Sequence, residues 1–172
     1  MMLAHHAPGS GKRTAIVTAA LAVIAVAVLG ALSTDIGAWY ANLREPAWKP
    51  PDALFGPAWT LIYALAATAG VRAWVRTPDR SRREWILVAF ALNGTLNVLW
   101  SLLFFRLHRP DWALMEVGGL WASIVLLMWL LGRQARAAAW LLLPYLLWVS
   151  FAAALNAAVV ELNAPFAVEQ PR

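Results

Sequence analysis

Long apolar runs separated by short polar segments dominate the pattern along the chain. Five such runs occur, each with at most one acidic or two basic residues near its ends. A helix of about 20 residues is long enough to cross the hydrocarbon core of a bilayer. We therefore predict an all-α fold, a polytopic membrane protein built as a five-helix transmembrane bundle. The predicted spans are residues 14–33, 57–75, 85–105, 112–132 and 137–160.

The segment between the first two spans, residues 34–56, is predicted to be a long loop. Pro46, Pro50 and Pro51 prevent a helix from continuing through it. In the fifth run we expect Pro144 to kink one continuous helix, because proline removes a backbone donor. The other connections are too short for a separate soluble domain, so residues 1–172 are predicted to form a single membrane domain.

Composition supports this interpretation and excludes several function classes. Apolar residues make up 62% of the chain and charged residues 13%, against about a quarter charged in ordinary globular domains. The absence of cysteine excludes disulfides, thiolate metal sites and a cysteine nucleophile. His5 and His6 lie in the N-terminal tail and His108 at a corner between spans. No histidine is thus expected inside the bundle, and we predict no metal site.

Basic residues lie at the ends of the apolar runs, which is typical of topology signals. We therefore expect no nucleic-acid partner for the net charge of +5. On the side of the N-terminus eight basic residues flank the spans, namely Lys12, Arg13, Arg76, Arg80, Arg82, Arg83, Arg133 and Arg136. On the other side there are five, namely Arg44, Lys49, Arg106, Arg109 and Arg172. This predicts a cytoplasmic N-terminus. A secretory signal peptide is the alternative for the first run, but residues 15–32 exceed its usual apolar length.

Polar and aromatic side chains in the second, third and fifth spans recur at the spacings of one helix face. They are Trp59 and Tyr63; Asn93, Asn97, Trp100 and Ser101; and Tyr145, Trp148 and Asn156. Amides facing hydrocarbon are costly, so we predict that these faces look into the bundle. One interpretation is hydrogen bonding between helices. The other is a concave site for a flat hydrophobic ligand, whose carboxylates would meet loop cations such as Arg44 or Lys49.

The other tryptophans and one acid complete the candidate chemistry of the spans. Trp74, Trp85, Trp112 and Trp140 lie near span ends and are predicted to anchor at the headgroup level. Trp121 and Trp129 lie deeper, where an indole N–H needs a polar partner or a cavity. Glu116 either serves a proton path or reaches back to the interface. No nucleophile is paired with a base, so the sequence leaves enzymatic activity undecided.

Several stretches in fixed order resemble the motifs of one membrane protein family. They are residues 39–43, 46–51 and 55–60 with Tyr63; Asn93, Asn97, Trp100, Phe104 and Phe105; and residues 144–148 with Asn156. In sequence and spacing they resemble the TspO/MBR family, the tryptophan-rich sensory or translocator proteins, and the similarity extends from about residue 14 to residue 163.

The resemblance implies a five-helix bundle, commonly homodimeric in membrane lipid, whose first loop acts as a lid. It implies binding of tetrapyrroles such as protoporphyrin IX and, in some relatives, cholesterol or synthetic isoquinoline and benzodiazepine ligands. It also indicates a bacterial inner membrane location and no resident cofactor. The ligand-binding candidates that match the family motifs are Trp39, Trp48, Trp59, Tyr63, Asn93, Asn97, Trp100, Tyr145, Trp148 and Asn156.

Three functions follow from the resemblance. The leading expectation is a receptor or sensor that binds porphyrins and couples their level to stress or tetrapyrrole regulation. The second is an enzyme that degrades porphyrin with light and oxygen, for which Trp59 and Trp148 match the family tryptophans tied to that chemistry. The third is a transporter, although the sequence has no inverted repeat. Cholesterol binding through the Leu/Val, Tyr and Lys/Arg pattern is not expected, because no basic residue follows Tyr145 before Arg172.

Overall fold

The computed structural model describes residues 10–166, which form helices and connecting turns with no strand among them. In chain order the helices are α1 (Ser10–Ser33), α2 (Ala38–Ala41), α3 (Phe55–Arg76), α4 (Arg80–Ser101), α5 (Pro110–Gly132), α6 (Arg136–Trp140) and α7 (Leu143–Asn163). A 3₁₀ turn (Asp52–Leu54) precedes α3, and a π-helical segment (Leu102–Arg106) extends α4. The tail histidines His5 and His6, and Arg172, lie outside the described residues.

Five helical stretches within residues 10–166 are long and apolar enough to cross a membrane. They are Lys12–Ser33, Asp52–Arg76, Arg80–Arg106, Pro110–Gly132 and Arg136–Asn163. The all-α class and the five spans predicted from hydrophobic runs are therefore confirmed.

The helices extend beyond the predicted apolar runs at several ends. The largest extension is in α4, which begins at Arg80 rather than at Trp85. Asp79 caps this helix, since its carboxylate accepts a hydrogen bond from the Arg82 backbone N–H at 2.8 Å. The first turn of α4 is therefore charged and helical at once, because a cap can start a helix before its apolar stretch begins.

Pro144 separates two helices instead of kinking one. The α6 helix ends at Trp140 and α7 begins at Leu143, so Pro144 lies in the first turn of α7. A proline in that position sacrifices no intrahelical hydrogen bond, because the first backbone N–H groups of a helix have no partner within it. The expected kinked span is thus a break followed by a new helix start.

The α5 helix is the centre of the bundle and packs against α4, α6 and α7. Its residues Ile124, Leu127 and Leu131 are fully buried. Buried alanines along α3, such as Ala69 and Ala73, allow neighbouring helices to approach closely. The α1 helix packs on α3 and α4 at the edge of the bundle and presents exposed apolar side chains. An exposed face of this kind is suited to lipid.

Candidate functional site

The interior of the bundle holds a chain of hydrogen bonds that joins α3, α4, α5 and α7. The Tyr63 hydroxyl donates to Asn97 Oδ1 at 2.8 Å, and Asn97 Nδ2 donates to the Tyr145 hydroxyl at 3.2 Å. Tyr145 donates in turn to Asn93 Oδ1 at 3.2 Å, and Asn93 Nδ2 donates to Ser123 Oγ at 2.8 Å. We call these five side chains the polar layer.

The polar layer satisfies its own hydrogen-bonding groups. The chain ends where Ser123 Oγ donates to the Leu120 carbonyl oxygen at 2.7 Å. Asn93, Asn97 and Tyr145 are each no more than 6% exposed, so these bonds form away from solvent. Because unpaired polar groups in such an interior are costly, the layer fixes the mutual positions of four helices.

Aromatic rings lie directly on the loop side of the polar layer. Trp59 stacks on Tyr63 with ring centroids 5.3 Å apart and meets Tyr145 edge to face at 6.0 Å. Trp148 meets Trp59 edge to face at 6.4 Å. Phe55 and Phe151 contact Trp148, and Trp48 from the loop contacts Phe151. We call the set Trp48, Phe55, Trp59, Trp148 and Phe151 the aromatic layer.

A second group of rings closes the same end of the bundle around α2. Trp39 stacks on His108, with centroids 4.3 Å apart, and meets Phe104 edge to face at 6.1 Å. Phe104 stacks on Trp100 at 5.1 Å, and Tyr40 contacts Phe105 at 5.5 Å. The first part of the loop is thus held against the π-helical segment by aromatic contacts.

Ion pairs fix the second part of the loop internally, and a hydrogen bond from Tyr40 joins it to the first part. Lys49 Nζ lies 2.5 Å from Glu45 Oε1 and 2.6 Å from Asp52 Oδ1, and the Tyr40 hydroxyl donates to Asp52 at 3.1 Å. Burial disfavours the charged form of Lys49, but hydrogen bonds to Asp52 and Glu45 outweigh it and raise the pKa of the ammonium group. Burial is the main cause of the raised pKa of Tyr40. We call Tyr40, Glu45, Lys49 and Asp52 the latch.

The loop is also tied to the end of α7. The backbone N–H of Arg44 donates to Asn163 Oδ1 at 2.8 Å, and Asn163 Nδ2 donates to the Arg44 carbonyl oxygen at 2.9 Å. The Arg44 backbone is thereby fixed while its side chain lies at the surface. Of the two loop cations named as partners for ligand carboxylates, Lys49 is already engaged in the latch and Arg44 is in no ion pair that the structure records.

A cleft of about 640 Å³ opens beside Trp39 at the loop end of the bundle. Its lining combines aromatic, amide and basic side chains: Trp39, Asn42, Arg106, His108, Arg109, Trp112 and Asn163 among others. Arg109 forms an ion pair with Asp111 and lies over the Trp112 ring at 4.0 Å. The Arg106 guanidinium donates to the Leu32 carbonyl oxygen at 3.0 Å. This cleft is basic where the aromatic layer is apolar.

The predicted site residues therefore fall into three groups. Tyr63, Asn93, Asn97 and Tyr145 belong to the polar layer; Trp48, Trp59 and Trp148 belong to the aromatic layer; Trp39 and Trp100 lie in the second ring group.

Asn156 lies apart from all three groups. With its amide oriented to satisfy both groups, it donates to the Pro110 carbonyl oxygen and accepts from the Leu114 backbone N–H, each at 3.0 Å. Asn156 thus joins α7 to the first turn of α5.

The sequence did not predict that two polar groups in the interior lack a hydrogen-bond partner. The indole Nε1 of Trp100 and both carboxylate oxygens of Glu116 are buried without a hydrogen-bond partner in the described part of the chain. Glu116 therefore does not reach back to the interface. The position of an acid one turn into a span fixes its depth but not its direction, so only the register of α5 against α4 reveals this placement.

Two tryptophans that lie deep in the fourth predicted span are on the outside of the bundle. Trp121 is 41% exposed, and its Nε1 donates to Ser150 Oγ at 3.0 Å. Trp129 is 54% exposed and lies under the Arg133 guanidinium at 4.3 Å. Ser150 is the polar partner of the Trp121 indole N–H, and the Arg133 guanidinium contacts the face of the Trp129 ring on the outside of the bundle.

Fold and site together define a small polytopic membrane protein with stacked amide and aromatic layers beneath a latched loop. The family model of the TspO/MBR family matches residues 18–162. The chain belongs to the TspO/MBR family and is an integral membrane protein. The resemblance drawn from its motifs is thereby confirmed.

Relatives from distant organisms show the same membership. A tryptophan-rich protein TspO of Archaeoglobus fulgidus is 38% identical over 151 residues, which cover 87% of this chain and 97% of the relative. A tryptophan-rich sensory protein of Cereibacter sphaeroides is 34% identical, covering 73% of this chain and 77% of the relative. A translocator protein of Bos taurus is 33% identical, covering 69% and 70%.

Proposed function

We propose that this protein is a membrane receptor that binds a porphyrin-like tetrapyrrole between the loop and the polar layer. The observation that carries the proposal is the aromatic layer, in which Trp59 and Trp148 lie over a hydrogen-bonded base and under a loop. Indole rings offer broad stacking surfaces to a flat macrocycle. The polar layer beneath sets the depth to which such a ligand sinks.

Binding requires the rings to exchange partners. Trp148 contacts both Trp59 and Phe151, so a flat macrocycle has to insert between these rings and replace ring contacts with ligand contacts. Trp48 is 52% exposed and is the ring nearest the solvent side of the layer. The loop segment that carries Trp48 is therefore the part that lifts when the ligand enters.

Charge at the loop end matches the carboxylates of a tetrapyrrole. The cleft beside Trp39 is lined by Arg106, Arg109 and His108, and Arg44 lies at the surface nearby in the chain. Guanidinium groups bind carboxylates through two parallel hydrogen bonds, and they also attract them electrostatically from a distance. The macrocycle would lie in the aromatic layer with its carboxylates towards these cations, outside the hydrocarbon.

A sensory role is favoured for the bound state, with the N-terminus on the cytoplasmic side of the membrane. One relative is named a tryptophan-rich sensory protein, and the excess of arginine and lysine on the N-terminal side supports that orientation. Occupancy would change the position of the loop, which gives a bound and a free state for a partner to distinguish.

A second candidate function is degradation of the porphyrin by light and oxygen. The contact between Trp59 and Trp148 favours it, because two oxidisable indoles lie within 6.4 Å of each other where the macrocycle would stack. The excited porphyrin would be the photosensitiser and dissolved oxygen the oxidant. If this is the function, illumination causes loss of porphyrin absorption that is first order in the complex and is abolished in Trp59→Phe and Trp148→Phe.

Titration with protoporphyrin IX tests the receptor proposal. We expect Trp59→Phe and Trp148→Phe each to weaken binding about tenfold, or roughly 1.4 kcal/mol, because the smaller ring gives up stacking area. Trp129→Phe is the matched control, since that indole lies on the outside of the bundle, and it should bind as the unmodified protein does. Binding is measured by porphyrin absorption in detergent micelles, against empty micelles. Equal affinity in all four proteins would refute the proposed site.

A further inference from the structure

The unpaired groups of Trp100 and Glu116 lie at one level of the bundle. The bond from Asn93 to Ser123 sets the register between α4 and α5. The two helices form a hairpin and run antiparallel, so about two helical turns towards the loop end lead from Asn93 to Trp100 and from Ser123 to Glu116. Phe104 and Ala113, one turn further, share a buried cluster, as this register requires.

Both groups also face the interior where the aromatic layer lies. Trp100, Trp59 and Trp148 pack against the same buried cluster around Val117 and Leu120. Glu116 lies seven residues before Ser123 on α5, so the two side chains share the helix face that meets α4. A carboxyl acceptor and an indole donor therefore border the space in which Trp59 and Trp148 would hold a ligand, and neither has a partner among the described residues.

We propose that Glu116 and Trp100 form a polar subsite for a ligand that carries an N–H donor beside a carbonyl acceptor, as in a lactam. The carboxyl of Glu116 would accept from the ligand N–H, and Trp100 Nε1 would donate to the adjacent carbonyl oxygen. A carboxyl oxygen accepts in either protonation state of the acid. The subsite rests on the proposed function for the surrounding site and adds to it the class of ligand group that is selected.

The selection follows from the cost of unpaired groups. A buried donor or acceptor without a partner is unfavourable, so a ligand that supplies both partners gains more than its stacking area. A ligand of the same shape that lacks the N–H leaves the Glu116 oxygens unpaired and is rejected. The preference therefore depends on hydrogen bonding and not on size.

A matched pair of flat three-ring probes tests this. Phenanthridin-6(5H)-one has a lactam N–H and carbonyl, and its lactone analogue, benzo[c]chromen-6-one, keeps the shape and the carbonyl but has an oxygen in place of the N–H. We expect the unmodified protein to bind the N–H probe about tenfold more tightly than the lactone probe. Equilibrium dialysis against empty micelles removes the difference in partition between the two probes.

Variants of the full chain test the role of each residue, and those at Glu116 test the preference for the N–H probe. Glu116→Leu should abolish it, whereas Glu116→Gln should keep it, because the amide oxygen still accepts from the ligand. Trp100→Phe should weaken the binding of both probes, because both carry the carbonyl oxygen to which the indole N–H would donate. Glu161→Gln, at an exposed carboxylate, is the control and should change nothing. Thermal unfolding of each variant identifies any that do not fold, and the isosteric Gln variant retains a readout if Leu is lost.

Three outcomes would overturn the subsite. These are equal binding of the two probes by the unmodified protein, a preference that survives in Glu116→Leu, and a crystal structure with the probe in which only water contacts Glu116 and Trp100. The protoporphyrin titration fails or succeeds separately. If porphyrin does not bind but the lactam preference depends on Glu116, a ligand site under the loop stands and tetrapyrroles are not its ligands; the reverse result removes the subsite alone.

Discussion

The polar layer and the aromatic layer lie one above the other in the same bundle, yet different forces hold them. In the polar layer Asn93 and Asn97 each bond to partners on other helices with defined distances and directions. In the aromatic layer Trp59 and Trp148 touch through ring contacts, which tolerate a shift or a change of partner. The difference indicates a rigid base under an adaptable layer, and the proposed ligand would enter the second without disturbing the first.

Asn97→Leu should give the largest effect, because it attacks the rigid base. The Tyr63 hydroxyl loses its acceptor and Tyr145 loses a donor, so we expect the free energy of unfolding to fall by about 2 kcal/mol. Unfolding in mixed micelles measures it. In Tyr63→Phe/Asn97→Leu the losses should be less than additive, because one hydrogen bond is removed by both changes. Strict additivity would mean that the two side chains are not coupled.

Lys49→Met should have an intermediate effect, confined to the loop above the aromatic layer. Loss of the bonds to Glu45 and Asp52 should destabilise the closed conformation of the loop by about 1 kcal/mol. The chain has no cysteine, so a nitroxide attached at Ala47→Cys reports on this segment alone. The spin label should become more mobile while the free energy of unfolding of the bundle stays the same.

Above about pH 6, where Glu45 and Asp52 are ionised, the latch should respond to pH in one direction. The pKa of Lys49 is raised above its ordinary 10.5, so its contribution is complete below that pH and is lost as the pH rises through the raised value. The raised pKa of Tyr40 acts in the same direction, because burial favours the neutral phenol. Spin-label mobility should therefore be constant from about pH 6 to 9 and rise only in strong alkali. Loosening on acidification to pH 6 would contradict this.

Trp121→Phe should have the smallest effect of the three. It removes a hydrogen bond between α5 and α7 of the same kind as those in the polar layer, but on the outside of the bundle. We expect a loss of about 0.6 kcal/mol in the free energy of unfolding and no change in porphyrin affinity. A loss as large as that of Asn97→Leu would remove the distinction between the interior layer and an ordinary interhelical bond.

Depth in the membrane was predictable from the sequence, whereas direction around the helix was less so. Hydrophobic length identifies five spans, and spacing places Tyr63, Asn93, Asn97 and Tyr145 on inward faces, where the structure has them bonded to each other. Trp121 lies at comparable depth and faces outward. Its partner Ser150 is on another helix, so no pattern within its own span reveals the contact.

Spacing along one helix also grouped residues that serve different contacts. Tyr145 and Asn156 share an inward stripe of α7 but are about 16 Å apart along the axis, so they meet different neighbours. Asn156 bonds to the backbone at the start of α5 instead of joining the polar layer. The π-helical segment Leu102–Arg106 was likewise beyond prediction, because the apolar run continues unchanged through it.

The two hydrogen bonds between the Arg44 backbone and Asn163 divide the first loop into two parts of unequal mobility. Upstream of Arg44, ring contacts of Trp39 and Tyr40 hold α2 against the bundle. Downstream, the ten residues from Glu45 to Leu54 lie between the hydrogen-bonded backbone of Arg44 and the start of α3. If the loop lifts for the proposed ligand, the movement is therefore a rotation of this short segment, and the hinge is built partly from Asn163, the last residue of α7. A fusion or truncation placed just after α7 would therefore change the mobility of the segment from Glu45 to Leu54, although the two lie far apart in the sequence.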